Sequence, residues 1–376
     1  MTDATTIRAF LDDDHIERLA EIDAFVQAEI APLSEPADDD AARQQAREVL
    51  RSMGEAGWYG AIEAGDLRGC CLVREAVAWG SPLADAVFAL QGLGSTPIAL
   101  AGSSEMKDTW FAPAMVGSKM AAFAMTEPNA GSDITSISSR AVRDGNDYVI
   151  DGEKTLISNA GIADFYTVFA STDPEAGRKG LSCFVVPAET PGLSFVGAQV
   201  MSAPHPLGRI RFDGCRIPEG HRLGEEGAGL AIGMATLDRL RPTVGAAACG
   251  MAARALQEAI GHARGREQFG KALSEFQLIQ GKLATMAIDL AAARLLVYRA
   301  AWEKDGGKER INVEAAMSKA FATEAAQRII DEAVQIHGGV GLLKEHVVDR
   351  LYRSIRSLRV YEGTTEIQKL IIAGHL

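Results

Sequence analysis

Ten residues in the first half of the chain, Ala124-Met125-Thr126-Glu127-Pro128-Asn129-Ala130-Gly131-Ser132-Asp133, combine hydroxyls, carboxylates, a proline and a glycine directly after an apolar stretch. That composition suits a rigid loop at a strand edge, with donors and acceptors aimed at a polar, planar ligand. A second dense segment lies far downstream, Tyr361-Glu362-Gly363-Thr364-Thr365-Glu366-Ile367-Gln368. Its Glu362 stands beside a glycine, which implies restricted space and unusual backbone freedom. As a plain structural residue Glu362 would open a helix over 362–372, where negative charge is favourable. Asp238 and Arg241 are three apart and share a helical face. A nicotinamide site would show GxGxxG between strand and helix. Gly92-Leu93-Gly94 runs into Ser95-Thr96-Pro97, and Gly227-Ala228-Gly229 lacks the third glycine, so neither qualifies. No Cys/His spacing suits a metal.

Three compositional zones must position these residues. The chain has 376 residues, enough for two or three domains. Residues 1–120 are helical in pattern: Ile16, Leu19, Ile22, Phe25 and Val26 recur at helix spacing, and Ala31-Pro32 ends the run. Residues 121–228 change to short strands, with Asp144-Gly145 and Asp151-Gly152 as turns around Tyr148-Val149-Ile150. Further strands are read at Leu181 to Val186 and Arg209 to Phe212, the latter closed by Asp213-Gly214. This zone predicts a small β-barrel or sandwich. From residue 229 to 376 the pattern is helical again. Ile279, Leu283, Met286, Leu290, Ala293 and Val297 step alternately by four and three, the seam of a four-helix bundle. The fold class expected is α+β multidomain: helical, then β, then a helical bundle.

Bulk charge narrows the function classes. Thirty-eight basic against 50 acidic side chains leave −12, with acidic runs at Asp12-Asp13-Asp14 and Asp38-Asp39-Asp40, which argues against a nucleic-acid binder. Arg350, Arg353, Arg356 and Arg359 read as a solvated or subunit-contacting helix face. The five cysteines, Cys70, Cys71, Cys183, Cys215 and Cys249, read as small apolar residues in a reducing compartment. The N-terminus lacks a signal-peptide pattern, and no stretch is read as long enough to span a bilayer. A cytoplasmic protein without membrane insertion is expected.

The two dense segments resemble the signature segments of the acyl-CoA dehydrogenase family of flavoenzymes, and the resemblance extends over nearly the whole chain. It implies the helical–β–helical order, FAD held between a β domain and a helical bundle, and a homotetramer. By resemblance Met125, Thr126 and Ser132 line the flavin, where donors stabilise charge developing on reduction. Leu156-Ile157-Ser158-Asn159-Ala160-Gly161 resembles the family's Trp-Ile-Thr-Asn-Gly. Ser158 keeps the hydroxyl that meets flavin N5, whereas Leu156 lacks the ring that commonly covers the flavin. Arg266-Glu267-Gln268-Phe269-Gly270 and Gln335-Ile336-His337-Gly338-Gly339-Val340-Gly341 match segments that contact the pyrophosphate and adenosine of FAD bound mainly by a neighbouring subunit. Arg266, Gln268, Phe269, Gln335 and Gly339, with Thr364 and Glu366, are therefore cofactor candidates. His337 reads as a packed histidine rather than a catalyst.

Glu362 is the base the resemblance implies, taking the proton α to a thioester carbonyl while the flavin takes the β-hydride. The thioester oxygen would be polarised by the glutamate's own N–H and a flavin ribityl hydroxyl. Some branches carry the base at the position matching Leu240, which cannot serve. Asp238, Arg241, Ser132, Tyr361 and Gly363 are substrate candidates, the first two for the pantetheine and phosphate of the acyl carrier. The expected reaction converts an acyl-CoA to a trans-2-enoyl-CoA, with an electron-transfer flavoprotein or similar acceptor as partner. Two departures, at 57–72 and in Ser202-Ala203-Pro204-His205-Pro206-Leu207-Gly208, bear on acyl and carrier recognition. They and Leu156 keep open an oxidase, or an enzyme of carrier-protein-bound or unusual thioesters. A flavin-binding protein without turnover is a third reading, which an intact Glu362 disfavours.

Overall fold

The computed structural model describes Thr2 and residues 4–376. Both acidic runs are helix starts. Asp12 caps helix α1 (Asp13–Phe25) in a box with His15, and the Asp38 carboxylate accepts from Ala41 N at 2.9 Å to cap α2 (Asp39–Glu55). Acidic first turns oppose the helix dipole, so these charges are local stabilisers. Helices α3 (Leu67–Gly80) and α4 (Pro82–Ala101) follow. The second corrects the expectation about length. It is long and apolar enough to cross a membrane, but 78% of its most apolar window is buried inside the protein.

The middle of the chain is an eight-stranded sheet. Strands β1 (Ala121–Ala124), β2 (Arg140–Asp144), β3 (Asp147–Ser158), β4 (Phe165–Ser171), β5 (Leu181–Pro187), β6 (Leu193–Ala198), β7 (Leu207–Pro218) and β8 (Arg222–Leu223) run β6-β7-β3-β2-β4-β5-β8, with β1 parallel to β4. Tyr148, Ile150, Val168, Phe184, Ile210 and Phe212 belong to its core. Asp144-Gly145 makes the β2–β3 hairpin, with Asp144 paired to Asp147. The other two Asp-Gly pairs do not turn the chain. Both lie inside long strands, at the irregularity between β3 and β7, where Gly214 N donates to the Asp151 carboxylate at 2.7 Å. Gly152 takes φ +142°, and a Cβ there would strike Ser139. These glycines supply a bulge, which bends a strand rather than ending it.

From residue 229 the chain is helical: α5 (Gly229–Gly265), α6 (Gln277–Asp305), α7 (Asn312–His337), α8 (Val347–Leu358) and α9 (Thr365–Ala373), with a two-residue hairpin β9 (Glu267–Gln268) and β10 (Lys271–Ala272) before α6. On α6, Met286, Leu290, Ala293 and Val297 are buried, as their spacing predicts. Asp305, at its end, accepts from Leu67 N and Arg68 N at 2.9 and 3.0 Å and so caps α3. All five cysteines are buried and unpaired.

Two compact units result. One comprises the chain up to Glu35, Asp66–Asp85 and Asp238–Leu376, and the other Pro36–Gly65 and Ala86–Leu237.

Candidate active site

In the helical unit several candidate residues gather around Glu362. Helix α9 begins at Thr365, and Thr364 is its cap, accepting from Ile367 N at 3.3 Å. Glu362 therefore precedes the helix, which corrects the expected start at 362. It sits in the left-handed region at φ 53°, followed by Gly363 at φ 89°. A non-glycine residue there costs on the order of 1–2 kcal/mol and persists only when its surroundings enforce it. They do. Arg241 Nε and Gln368 Nε2 both donate to Glu362 O at 3.2 Å. Lys319 Nζ and Gln368 Nε2 donate to Gly363 O at 2.7 and 3.0 Å. Thr365 Oγ1 and Arg359 Nε share Glu324 Oε1 just beyond.

With the backbone held this way, the Glu362 side chain stays uncommitted. Its Oε2 is buried without a hydrogen-bond partner, and its N–H makes no hydrogen bond among the described residues. Burial raises the carboxyl pKa, opposed by Arg74, Lys319 and Arg241 and assisted by Asp85. Arg74 is itself paired bidentately with Asp85 at 2.8 Å and bonded to Thr243. Lys319 falls to about 8, chiefly through burial and despite Glu362. A carboxylate desolvated yet surrounded by cations is a base of strengthened proton affinity that can still ionise.

Arg241 is 4% exposed, and its Nη1 meets Asp238 at 2.5 Å. Its Nε is directed at the Glu362 carbonyl. Asp238 is half-buried, its pKa raised by burial against the pull of Arg241. Leu240 is buried, and Tyr361 is 37% exposed beside Glu362.

In the sheet unit, two sequence-predicted segments lie side by side. Thr155 N donates to Thr126 O at 3.0 Å, so Met125–Thr126 and Leu156–Ser158 are neighbours. A fully buried pair anchors them: Lys154 Nζ contacts Glu127 Oε1 at 2.7 Å, Phe169 O at 2.6 Å and Met125 O at 3.2 Å. Glu127 also receives Ser138 N and Ser139 N, at 2.6 and 3.0 Å. The Lys154 cation and these donors hold its pKa near 2 against burial. Leu156 has φ 55° and is 55% exposed, and Asn159 has φ 64°. Ser132 lies exposed in the loop after Thr126.

The remaining candidates stand on the surface of the helical unit. Phe269 and Gly270, at φ 53° and 78°, form the two-residue turn between Gln268 and Lys271. Phe269 is 94% exposed, and Arg266, Gln268, Gln335, Gly339 and Glu366 are exposed as well. His337 is buried, its Nδ1 bonded to Ala333 O at 2.7 Å, with its ring 4.4 Å from His262. These residues fit FAD: an exposed aliphatic side chain and a hydroxyl at one segment suit an isoalloxazine, and an uncovered aromatic with an arginine suits an adenosine diphosphate. Among the described residues no group could hold a metal ion.

Sequence reading missed Lys319, Arg74, Gln368 and the Lys154–Glu127 pair. A lysine within an alanine-rich helix carries no signal, because what distinguishes Lys319 is a carbonyl 44 residues away.

Family models match in three consecutive segments: the acyl-CoA dehydrogenase N-terminal domain over residues 12–118, the middle domain over 122–215 and the C-terminal domain over 227–376. A probable acyl-CoA dehydrogenase, fadE25, of Mycobacterium leprae is 37% identical over 377 residues, covering 97% of this chain and 96% of its own length. The solved butyryl-CoA dehydrogenase of Megasphaera elsdenii superposes with a TM-score of 0.91 at 33% identity, over 97% of this chain and 98% of that one. The FAD complex of PigA gives 0.88 at 29% identity, over 97% and 98%.

Proposed function

Since the chain belongs to the acyl-CoA dehydrogenase family, we propose that it converts an acyl thioester to its trans-α,β-enoyl form, with Glu362 as the base for the α-proton. It is an oxidoreductase and its cofactor is FAD. When bound, FAD supplies the acceptor for the β-hydride and passes electrons to an electron-transfer flavoprotein or similar partner.

One observation carries this reading. In a loop whose carbonyls are tied down by Arg241, Lys319 and Gln368, the Glu362 carboxylate Oε2 is buried without a hydrogen-bond partner, and the Glu362 N–H makes no hydrogen bond among the described residues. The oxygen suits a proton acceptor, and the N–H suits a developing enolate oxygen. Tyr361, Gly363, Asp238 and Ser132 are assigned to substrate. Arg241 acts through the loop it holds. Met125, Thr126, Ser132, Leu156 and Ser158 are assigned to the flavin ring. Arg266, Gln268, Phe269, Gln335, Gly339, Thr364 and Glu366 are assigned to the remainder of FAD, shared with a neighbouring copy in a homotetramer.

Anaerobic titration of the flavin with a panel of saturated acyl-CoAs tests the assignment. Bleaching by one class is expected, slowed about 10²- to 10⁴-fold in Glu362→Gln. A Glu362→Gln protein that bleaches like wild type would remove the base. The exposed Leu156, which offers no ring over the flavin, supports a second reading, an oxidase. Oxygen uptake with substrate and no added acceptor would favour it.

A further inference from the structure

The loop between β6 and β7 holds one of the two departures from the family's pattern, and it is folded onto the segment that ends β3. Gln199 Oε1 accepts from Leu156 N at 2.8 Å and from Thr155 Oγ1 at 3.1 Å. Asn159 N donates to Pro206 O at 2.8 Å. Arg43, from α2, donates to Leu207 O at 3.0 Å and to Ala160 O at 2.5 Å. Between these anchors His205, flanked by two prolines, brings Nε2 to 2.8 Å from Ser158 Oγ.

Ser158 lies between Leu156 and Asn159, both at positive φ. Two strained residues around one hydroxyl persist because the loop over-determines them, and such strain clusters where a side chain must be aimed. A serine hydroxyl has one proton and two lone pairs, so its direction is open until a neighbour takes one of them. His205 is that neighbour, and its Nδ1 makes no hydrogen bond among the described residues. Burial lowers its pKa to about 4, Arg43 acting in the same direction and Asp39 against it. The imidazole is therefore neutral near pH 7 and carries one N–H.

We propose that His205 is a positioning residue, donating from Nε2–H to Ser158 Oγ so that the serine's own proton points out of the loop at the hydride-accepting nitrogen of the flavin. This rests on the flavoenzyme reading above and adds to it the group that sets the hydroxyl's direction. The Ser202–Gly208 departure then compensates within the loop: it provides the serine with an orienting partner and holds the strained backbone around it.

The test uses the FAD-loaded protein, with the flavin absorption spectrum and midpoint potential as readouts. Ser158→Ala and His205→Phe are each expected to displace both, and the double variant to go no further than Ser158→Ala alone. His205→Gln, which keeps a donor, is expected to return towards wild type. Loss of the oriented hydrogen bond is expected to slow flavin reduction about tenfold. A Ser158→Ala shift with none from His205→Phe overturns the proposal and leaves the flavoenzyme reading intact. A protein that takes up no FAD removes both. Independently of any variant, the ¹⁵N spectrum of histidine-labelled wild-type holoprotein must show His205 as the Nε2–H tautomer. The Nδ1–H tautomer overturns the proposal.

Discussion

Glu362 is placed where a carboxylate costs stability, and the sign of that cost is measurable. Burial holds its folded pKa above the ordinary value of 4.5. Between 4.5 and the raised value the folded state keeps a proton that the unfolded chain has released, so stability falls as pH rises through that window. Below it both states are protonated and the penalty is absent. Glu362→Gln has no proton to lose. Its urea midpoint is therefore expected to exceed wild type at pH 8 and to converge on it near pH 4, the usual trade between stability and function. A constant difference across pH would show that the carboxyl is not perturbed. At this scale the sequence displayed the carboxylate proposed as the base but not its setting. Glu362 stood inside a dense motif, whereas Arg74, Arg241 and Lys319 are scattered over some 245 residues and converge only through helix packing. The same holds for His205 and Ser158, 47 positions apart. Arg241 shared a helix face with Asp238, as its spacing implied, but a spacing cannot show that the guanidinium is turned towards a backbone carbonyl.

Among elements, periodicity was legible where one face is buried and failed where a glycine does something other than turn. The α6 seam and the β2–β3 hairpin follow from apolar spacing and an Asp-Gly pair. The Asp-Gly pairs at 151 and 213 have the same local chemistry, yet they are spent on a bulge, because β3 and β7 pair on both sides of it. Phe269-Gly270 is the converse: a two-residue turn with both φ positive, a conformation that favours Asn-Gly, occupied instead by a phenylalanine. An aromatic in a strained, exposed position is not explained by folding. Phe269→Asn is expected to keep the turn and gain up to about 1 kcal/mol of stability. The same variant is expected to release FAD faster than wild type if the ring serves the cofactor. Unchanged FAD retention on gel filtration would assign the ring to something else.

At the scale of the whole molecule, α6 carries a second apolar stripe that the chain itself leaves open. Leu278, Ile288 and Leu295 are 84%, 68% and 43% exposed, and with Gly281, Thr285 and Ala292 between them they step by three and four, parallel to the buried seam. A helix apolar on two faces is one whose second face is covered by something else. The homotetramer proposed above would supply a second copy of the chain as the occupant, in keeping with the cofactor candidates Phe269 and Arg266, just before this helix, which are also exposed. A charge on the stripe should then cost mass and flavin together. Ile288→Glu is expected to reduce the mass measured by light scattering and to lower FAD per chain. Val142→Glu, at a site of similar exposure (61%) on β2, should change neither. If Ile288→Glu kept both the wild-type mass and its full flavin, the stripe would not be the subunit contact. Loss of mass with flavin retained would mean that one chain holds FAD unaided, and that the exposed turn at Phe269 has no neighbour to serve.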